Sequence, residues 1–288
     1  MPLEYFSDAA AFAHEAQPFL LKREAENSLV FGIIDRLITS MITPAALPLL
    51  ALAREGGEVA GVVVMTPPRN IILTVMDAAV AEQLARDLFA DRITIPGVVG
   101  PLQVAEAFTA AWCALSGQRH EESMRERVYE LTAVIPPRPT SGHFRWAAPA
   151  DREMLVEWGM AFDREALGVA EPDRAEFEEW ADRIITRTAY RGLGIWEDKG
   201  QMVSYAGFGG RTPHGMRVAP VYTPTALRGR GYASACVAVL SQYLLESGYQ
   251  RCFLNTDLAN PTSNKIYQAI GYRPVGDALE LRFLQPDA

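Results

Sequence analysis

Arg228-Gly-Arg-Gly231 lies between an apolar run, Met216–Tyr222, and a helical pattern that begins at Tyr232. A strand that ends in a glycine-bearing loop and passes directly into a helix is suited to bind anions. Glycine allows close backbone approach and positive φ, and a helix N-terminus offers unpaired N–H groups and the positive end of its dipole. The local physics therefore predicts a phosphate or pyrophosphate ligand. Three loop types compete. A Walker A loop needs Gly-x4-Gly-Lys-Ser/Thr, and no Lys-Ser/Thr follows Gly231. A dinucleotide fingerprint needs Gly-x-Gly-x-x-Gly/Ala, whereas Gly229-Arg-Gly231-Tyr-Ala-Ser234 ends on serine and sits late in the chain without repeated βαβ units around it. The third pattern, Arg/Gln-x-x-Gly-x-Gly/Ala, is met by Arg228-Gly-Arg-Gly231-Tyr-Ala233.

About thirty residues later come Asn260-Pro-x-x-Asn264-x-x-Tyr267 and Gly271-Tyr272. With the loop, this order and spacing make residues 218–273 resemble the coenzyme A core of the GCN5-related N-acetyltransferase (GNAT) superfamily. The resemblance implies acetyl-CoA as co-substrate, no metal, and transfer of an acetyl group to a primary amine of a small molecule or peptide. It also implies roles. Backbone amides at Val221, Tyr222 and Thr223 would meet the pantetheine arm and the thioester carbonyl. The amides of Arg228, Gly229, Arg230, Gly231, Tyr232 and Ala233 would wrap the pyrophosphate. Asn260 and Asn264 would touch the pantetheine or adenine end. Tyr267 would return a proton to the departing thiolate, for which an ordinary phenol pKa near 10 keeps it protonated at neutral pH.

Blander readings stand beside these. Asn260-Pro261 is a good helix N-cap in its own right, and Tyr267 also suits packing with Ile266 and Ile270. Cys236 and Cys252 read as small buried apolar residues; Trp158, Trp180 and Trp196 read as core or pocket wall. Asp257 and Glu197 are considered as a general base and neither is assigned. A non-catalytic acyl-CoA-binding or sensing module is the alternative function, and a dinucleotide oxidoreductase is a third that Ser234 disfavours.

The elements that must position these residues divide at Ile135-Pro-Pro-Arg-Pro-Thr-Ser-Gly142, where three prolines in four residues predict an extended connector. The expected domains are 1–135, a diverged GNAT-like α/β half without a cofactor loop, a linker at 136–142, and 143–288, the catalytic half. In the first, Ala51–Ala53 and Val59–Met65 predict a hairpin around Gly56-Gly57, Asn70–Val75 a third strand, and Asp77 the cap of a helix over Ala78–Ala90. Gly97–Pro101 reads as a break before a helix over Leu102–Leu115, and Met124–Val134 as a closing strand. The second half reads β-α-α-β-β-β-α-β-α-β, an α+β fold with a mixed, partly parallel sheet flanked by helices. Its pieces are His143–Ala147, helices from Asp151 to Ala166 and from Pro172 to Thr188, a hairpin of Leu193–Trp196 and Met202–Phe208, Met216–Tyr222, helix Tyr232–Glu246, Cys252–Thr256, helix Thr262–Ile270 and a strand near Leu279–Leu284.

The 288 residues allow about two domains. A net charge of −8 argues against general nucleic-acid binding. Its longest strongly apolar run, Val59–Met65, is far short of a membrane span. No signal peptide is evident in MPLEYFSDAAAFAHE. Three cysteines make no disulfide framework and four histidines give no metal spacing, so a reduced, cytoplasmic protein is expected, with a homodimer as an open possibility. Charge is uneven: residues 151–182 hold eleven acidic residues against three arginines, and residues 213–273 hold six basic against two acidic. The basic stretch suits CoA phosphates. The acidic stretch either attracts a cationic amine or is a solvated helix face.

Overall fold

One succession of ten elements occurs twice in this chain, whose computed structural model describes residues 3–39 and 46–285. The first pass is β1 (Leu3–Tyr5), α1 (Ala9–Leu20), α2 (Ser28–Ile38), β2 (Leu49–Glu55), β3 (Glu58–Met65), β4 (Ile71–Leu73), α3 (Ala78–Ala90), β5 (Gly97–Pro101), α4 (Leu102–Ser116) and β6 (Arg119–Leu131). The second is β7 (His143–Trp146), α5 (Arg152–Ala166), α6 (Arg174–Ile185), β8 (Gly192–Asp198), β9 (Gln201–Arg211), β10 (Gly215–Tyr222), α7 (Tyr232–Glu246), β11 (Arg251–Asp257), α8 (Pro261–Ala269) and β12 (Arg273–Leu284). Pairing repeats with it: β1–β2 and β7–β8 are antiparallel, β2–β3 and β8–β9 are hairpins, and β4–β5 and β10–β11 are parallel. A mixed, partly parallel sheet flanked by helices is the architecture of each pass.

Compactness groups the chain differently from a sequential split at 136–142. One unit comprises Met1–Tyr129, Asn255–Asn264 and Pro274–Ala288; the other comprises Glu130–Leu254 and Lys265–Arg273. The reason is β12. Although last in the chain, it pairs antiparallel with β5, Ala278 opposite Pro101 through Arg282 opposite Gly97. Its alternate side chains Leu279, Leu281 and Phe283 enter a core with Leu84, Leu88, Val98, Phe108 and Trp112.

In the first unit the two-residue period of β2 and β3 feeds two helix layers. Ala51, Val63 and Met65 face the α3–α4 core, and Leu50, Leu52, Val62 and Val64 face Phe12, Leu20, Val30 and Ile34 of α1 and α2. Each fully buried Leu or Val contributes about 1.5–3 kcal/mol, so both faces hold the sheet. Gly97–Pro101, expected as a break, is strand β5 instead. Val98 and Val99 lie between β4 and β12, and that ladder outweighs the weak strand preference of Gly and Pro. β6 begins at Arg119, ahead of the expected Met124, through the exposed polar stretch Arg119–Ser123.

In the second unit α5 and α6 place Leu155, Val156, Ala181 and Ile184 against Leu193, Ile195, Tyr205 and Tyr222, and α7 packs on β8, β9 and β10. Helix α6 starts at Arg174, not Pro172, because the Asp173 side chain caps it by accepting from the Ala175 amide at 2.9 Å. The expected linker is fastened to this unit. The Thr140 hydroxyl donates to the Arg230 carbonyl at 2.8 Å, Ser141 donates to Asp198 at 3.0 Å, and the Trp196 indole donates to the Ser141 carbonyl at 2.8 Å.

Burial holds the phenol groups of Tyr205, Tyr267 and Tyr272 well above the ordinary range. They stay neutral in the folded chain when the unfolded chain would ionise near pH 10. Stability is therefore expected to be intact below pH 10 and to fall above it by about 1.4 kcal/mol per group per pH unit. Urea denaturation at pH 8, 10 and 11 checks this; an unchanged midpoint would contradict it.

Candidate active site

The two passes diverge where the fourth strand meets the following helix. After β4 only Thr74–Asp77 intervene before α3, and the residue at the cap, Asp77, brings a carboxylate to the helix N-terminus without a side-chain capping bond. A negative group there repels phosphate. After β10, residues 223–231 intervene, and both glycines of Arg228-Gly-Arg-Gly231 adopt left-handed backbone, φ 77° at Gly229 and 86° at Gly231. Gly231 is the cap of α7, so the amides of Tyr232 and Ala233 open a fifteen-residue helix, where first-turn N–H groups have no intrahelical partner.

The strand before this loop is opened on one side. The parallel register of β10 with β11 runs from Gly215↔Arg251 to Arg217↔Phe253, while β10 continues to Tyr222 paired with β9. Register shifts interrupt the β9 ladder on both sides of Val218, and Pro220 has no amide hydrogen to offer. Val221, Tyr222 and Thr223 thus extend past the end of the parallel ladder, with backbone donors and acceptors on that side. A second chain-like ligand fits such a strand edge as a strand would.

Side chains tie the end of β10 in place. Ser204 on β9 donates to the Tyr222 carbonyl at 3.1 Å and shares a hydrogen bond with the Thr223 hydroxyl at 2.8 Å. The Tyr222 hydroxyl donates to Glu165 at 3.0 Å, and burial followed by that contact pushes its phenol up to about 12. Arg228 turns back over the strand: its Nε donates to the Thr223 carbonyl at 2.9 Å and its Nη2 to the other oxygen of Glu165. Arg230 is exposed and donates to the Ala226 carbonyl at 3.3 Å. Tyr232 is buried, its hydroxyl donating to Asp198 at 2.7 Å, so only its backbone faces the loop chemistry. Neither Glu165 nor Ser204 was marked by sequence pattern: Glu165 is one of eleven acids in its stretch, and Ser204 matters only through strand register.

Tyr267 sits on α8, buried, its ring edge-on to Tyr272 with centroids 6.0 Å apart. Burial raises its phenol above the ordinary value, which keeps the proton available to donate across neutral pH. Asn260 and Asn264 belong to the segment grouped with the first unit, and both carry structural bonds. Asn260 accepts from the Ser263 amide at 3.0 Å as a helix cap. Asn264 donates to the Asp257 and Asn260 carbonyls at 2.8 Å and accepts from Tyr129 at 2.9 Å. The two carboxylates considered as a base are likewise engaged: Glu197 with Arg145 at 2.5 Å, and Asp257 with the Ala259 amide at 2.7 Å.

Part of the acidic stretch 151–182 is ion-paired. Arg174 bridges Glu153, Glu157 and Glu178, Arg152 pairs with Asp182, and Asp151 pairs with Arg145. Exposed pairs of this kind are worth little individually, and with eleven acidic residues against three arginines the stretch stays net acidic. What faces Tyr205 and Tyr222 from α5 and α6 is aromatic: Trp158, Phe162 and Trp180 stand 5.8–6.4 Å from those rings, centroid to centroid. Among the described residues no group of His, Cys, Asp and Glu is placed to hold a metal ion, and no helix is long and apolar enough to cross a membrane.

The loop, the opened strand and α7 lie inside the segment that matches a known family: residues 150–272 match the model of the acetyltransferase (GNAT) family. This segment is a GNAT acetyltransferase domain. As a GNAT domain it places the chain among the acyltransferase enzymes. No curated protein matches the chain at a significant level. Solved structures agree on the fold over nearly its whole length. A GCN5-related N-acetyltransferase from Sphaerobacter thermophilus aligns with TM-score 0.63 at 15% identity, covering 99% of this chain and 97% of that one. A GNAT-family acetyltransferase from Colwellia psychrerythraea gives 0.56 at 10% identity, covering 98% and 99%. A tandem GNAT protein from the clavulanic acid biosynthesis pathway gives 0.54 at 13% identity, covering 100% and 99%. The last bears on the repeated element order: two GNAT-like passes in one chain is an arrangement seen in solved proteins, and in this chain the GNAT domain is the second pass.

In the GNAT domain Gly231→Ala tests the loop. The added Cβ would meet Thr140 at an ordinary 3.5 Å, so the cost is conformational, about 1–2 kcal/mol for left-handed backbone. The expected outcome is a folded protein less stable by about that amount in urea denaturation. Stability equal to that of the unchanged chain would show that the left-handed cap is not required.

Proposed function

We propose that the GNAT domain transfers an acetyl group from acetyl-CoA to a primary amine by direct attack, without an acyl-enzyme. The observation that carries this reading is the end of β10: a strand released from its parallel neighbour, a loop with two left-handed glycines, and a helix N-terminus in uninterrupted sequence. The residues present fit the cofactor's three parts. The amides from Arg228 to Ala233 hold the pyrophosphate, the free edge of β10 pairs with the pantetheine amides, and an amide at Val221, Tyr222 or Thr223 meets the thioester carbonyl. The bound thioester supplies an activated acetyl group.

The chain's own work is to bind, orient and move protons. A fixed amide at the carbonyl oxygen is typically worth about 3–4 kcal/mol of barrier. The amine nitrogen forms its bond to the carbonyl carbon as the carbon–sulfur bond breaks. Tyr267 gives its phenolic proton to the sulfur, and the nitrogen loses its proton to water. Glu197 and Asp257, held by Arg145 and by the Ala259 amide, leave deprotonation to solvent in this reading.

Thiol release from acetyl-CoA, followed with a chromogenic disulfide across a panel of amines, tests the proposal. Calorimetric titration with CoA runs in parallel. Turnover with at least one amine is expected. CoA binding with no turnover on any amine would favour the acyl-CoA-sensing alternative, and absence of CoA binding would overturn both.

A further inference from the structure

The guanidinium of Arg228, the first residue of the phosphate loop, is committed in this structure to protein partners. Nε is held by the Thr223 carbonyl at 2.9 Å, and Nη2 by Oε2 of Glu165, near the C-terminal end of α5. The other oxygen of the same carboxylate receives the Tyr222 hydroxyl. This is not an isolated surface ion pair. Two groups, the Tyr222 hydroxyl from the end of β10 and the Arg228 guanidinium from the loop, converge on one carboxylate of α5, and the guanidinium is turned along the strand. A phosphate at the 228–233 amides would offer two oxygens to the arginine fork, where Glu165 accepts from Nη2 alone, and it would carry more charge than the carboxylate. The side chains of Glu165 and Arg228 are 39% and 48% exposed, open enough for such an exchange.

We propose that Glu165 sets cofactor affinity by competing with phosphate for the Arg228 guanidinium, as a positioning residue that couples loop occupancy to α5 and to Tyr222 on β10. The inference rests on CoA occupying the loop, as proposed above. In the free chain Glu165 shields the arginine and anchors the strand end. When phosphate takes the guanidinium, the carboxylate keeps Tyr222 and gains a free oxygen at the helix that borders the aromatic wall. By the reciprocity of linked equilibria, whatever then engages that oxygen strengthens cofactor binding by the same factor.

The test is calorimetry with CoA and with pantetheine, which lacks the phosphates, on the unchanged chain, Glu165→Gln, Arg228→Gln and the double variant. Glutamine preserves an acceptor for Tyr222 while removing the charge that holds Arg228. The expected result is CoA binding about three- to fivefold tighter in Glu165→Gln, the range an exposed ion pair supports. Pantetheine affinity should be unchanged, and Glu165→Gln should add nothing once Arg228 is glutamine. Equal tightening toward pantetheine, persistence of the effect in the double variant, or no tightening of CoA would each overturn the inference. If the unchanged chain binds no CoA at all, it is the proposed function that fails.

Discussion

Truncation of the chain after Arg273 is expected to unfold the first unit, although none of its first 129 residues is altered. The deletion removes Leu279, Leu281 and Phe283 from the core built on α3 and α4, and it strips β5 of its antiparallel partner from Gly97 to Pro101. Each lost side chain costs about 1.5–3 kcal/mol of burial, with a cavity cost added. The sum competes with the roughly 5–15 kcal/mol by which domains are stable at all. The bared edge of β5 adds a site for intermolecular strand pairing. Hydrogen exchange should show amides of β3–β5 losing protection, and the truncated chain should aggregate. A milder form is Phe283→Ala, which removes the ring stacked on Trp112 with centroids 6.1 Å apart. It is expected to lower stability by about 3–5 kcal/mol in urea denaturation, whereas Val275→Ala, at an exposed position on the same strand, should stay within about 0.5 kcal/mol. Retained protection in the truncated chain would show that β12 is dispensable.

Replacement of Tyr267 by phenylalanine should lower kcat by at least a hundredfold, the low end of what a positioned proton donor contributes, with CoA affinity within twofold of the unchanged chain. The separation follows from position: Tyr267 is a buried residue of α8, and the proposed pyrophosphate contacts lie in residues 228–233. Because burial raises the phenol above its ordinary value, its proton remains in place from pH 7 to 9. The unchanged chain should therefore show no alkaline loss of rate from this group in that interval. Full turnover by Tyr267→Phe across pH 7–9 would remove the acid assignment, and an equal fall in CoA affinity would mark the hydroxyl as structural.

Local chemistry was legible wherever a residue acts through its own backbone or its near neighbours. The hairpin around Gly56-Gly57, the helices over Ala78–Ala90 and Tyr232–Glu246, and the element order of the second pass all follow from turn residues and hydrophobic period, and they stand as expected. Gly229 and Gly231 are left-handed, as a loop of that composition requires. Where pattern and tertiary pairing disagree, pairing prevails. Gly97–Pro101 looks like a break and is a buried strand. Among the acidic residues of α5 and α6, Glu153, Glu157 and Asp182 pair with an arginine of the other helix, Arg174 or Arg152, contacts that chain order does not show.

The strand, the glycine-bearing loop and the helix over residues 216–246 were legible from sequence alone, because such a junction depends on contiguous backbone. Three things belonged to the tertiary structure. The first pass repeats the element order of the second without sequence likeness, because a core needs the period of its apolar residues and not their identity. The last strand joins the first unit, because its alternating Leu279, Leu281 and Phe283 find their apolar partners there. And Arg228 is engaged by Glu165, a partner 63 positions away that only the packing of α5 beside β10 brings within reach of its guanidinium.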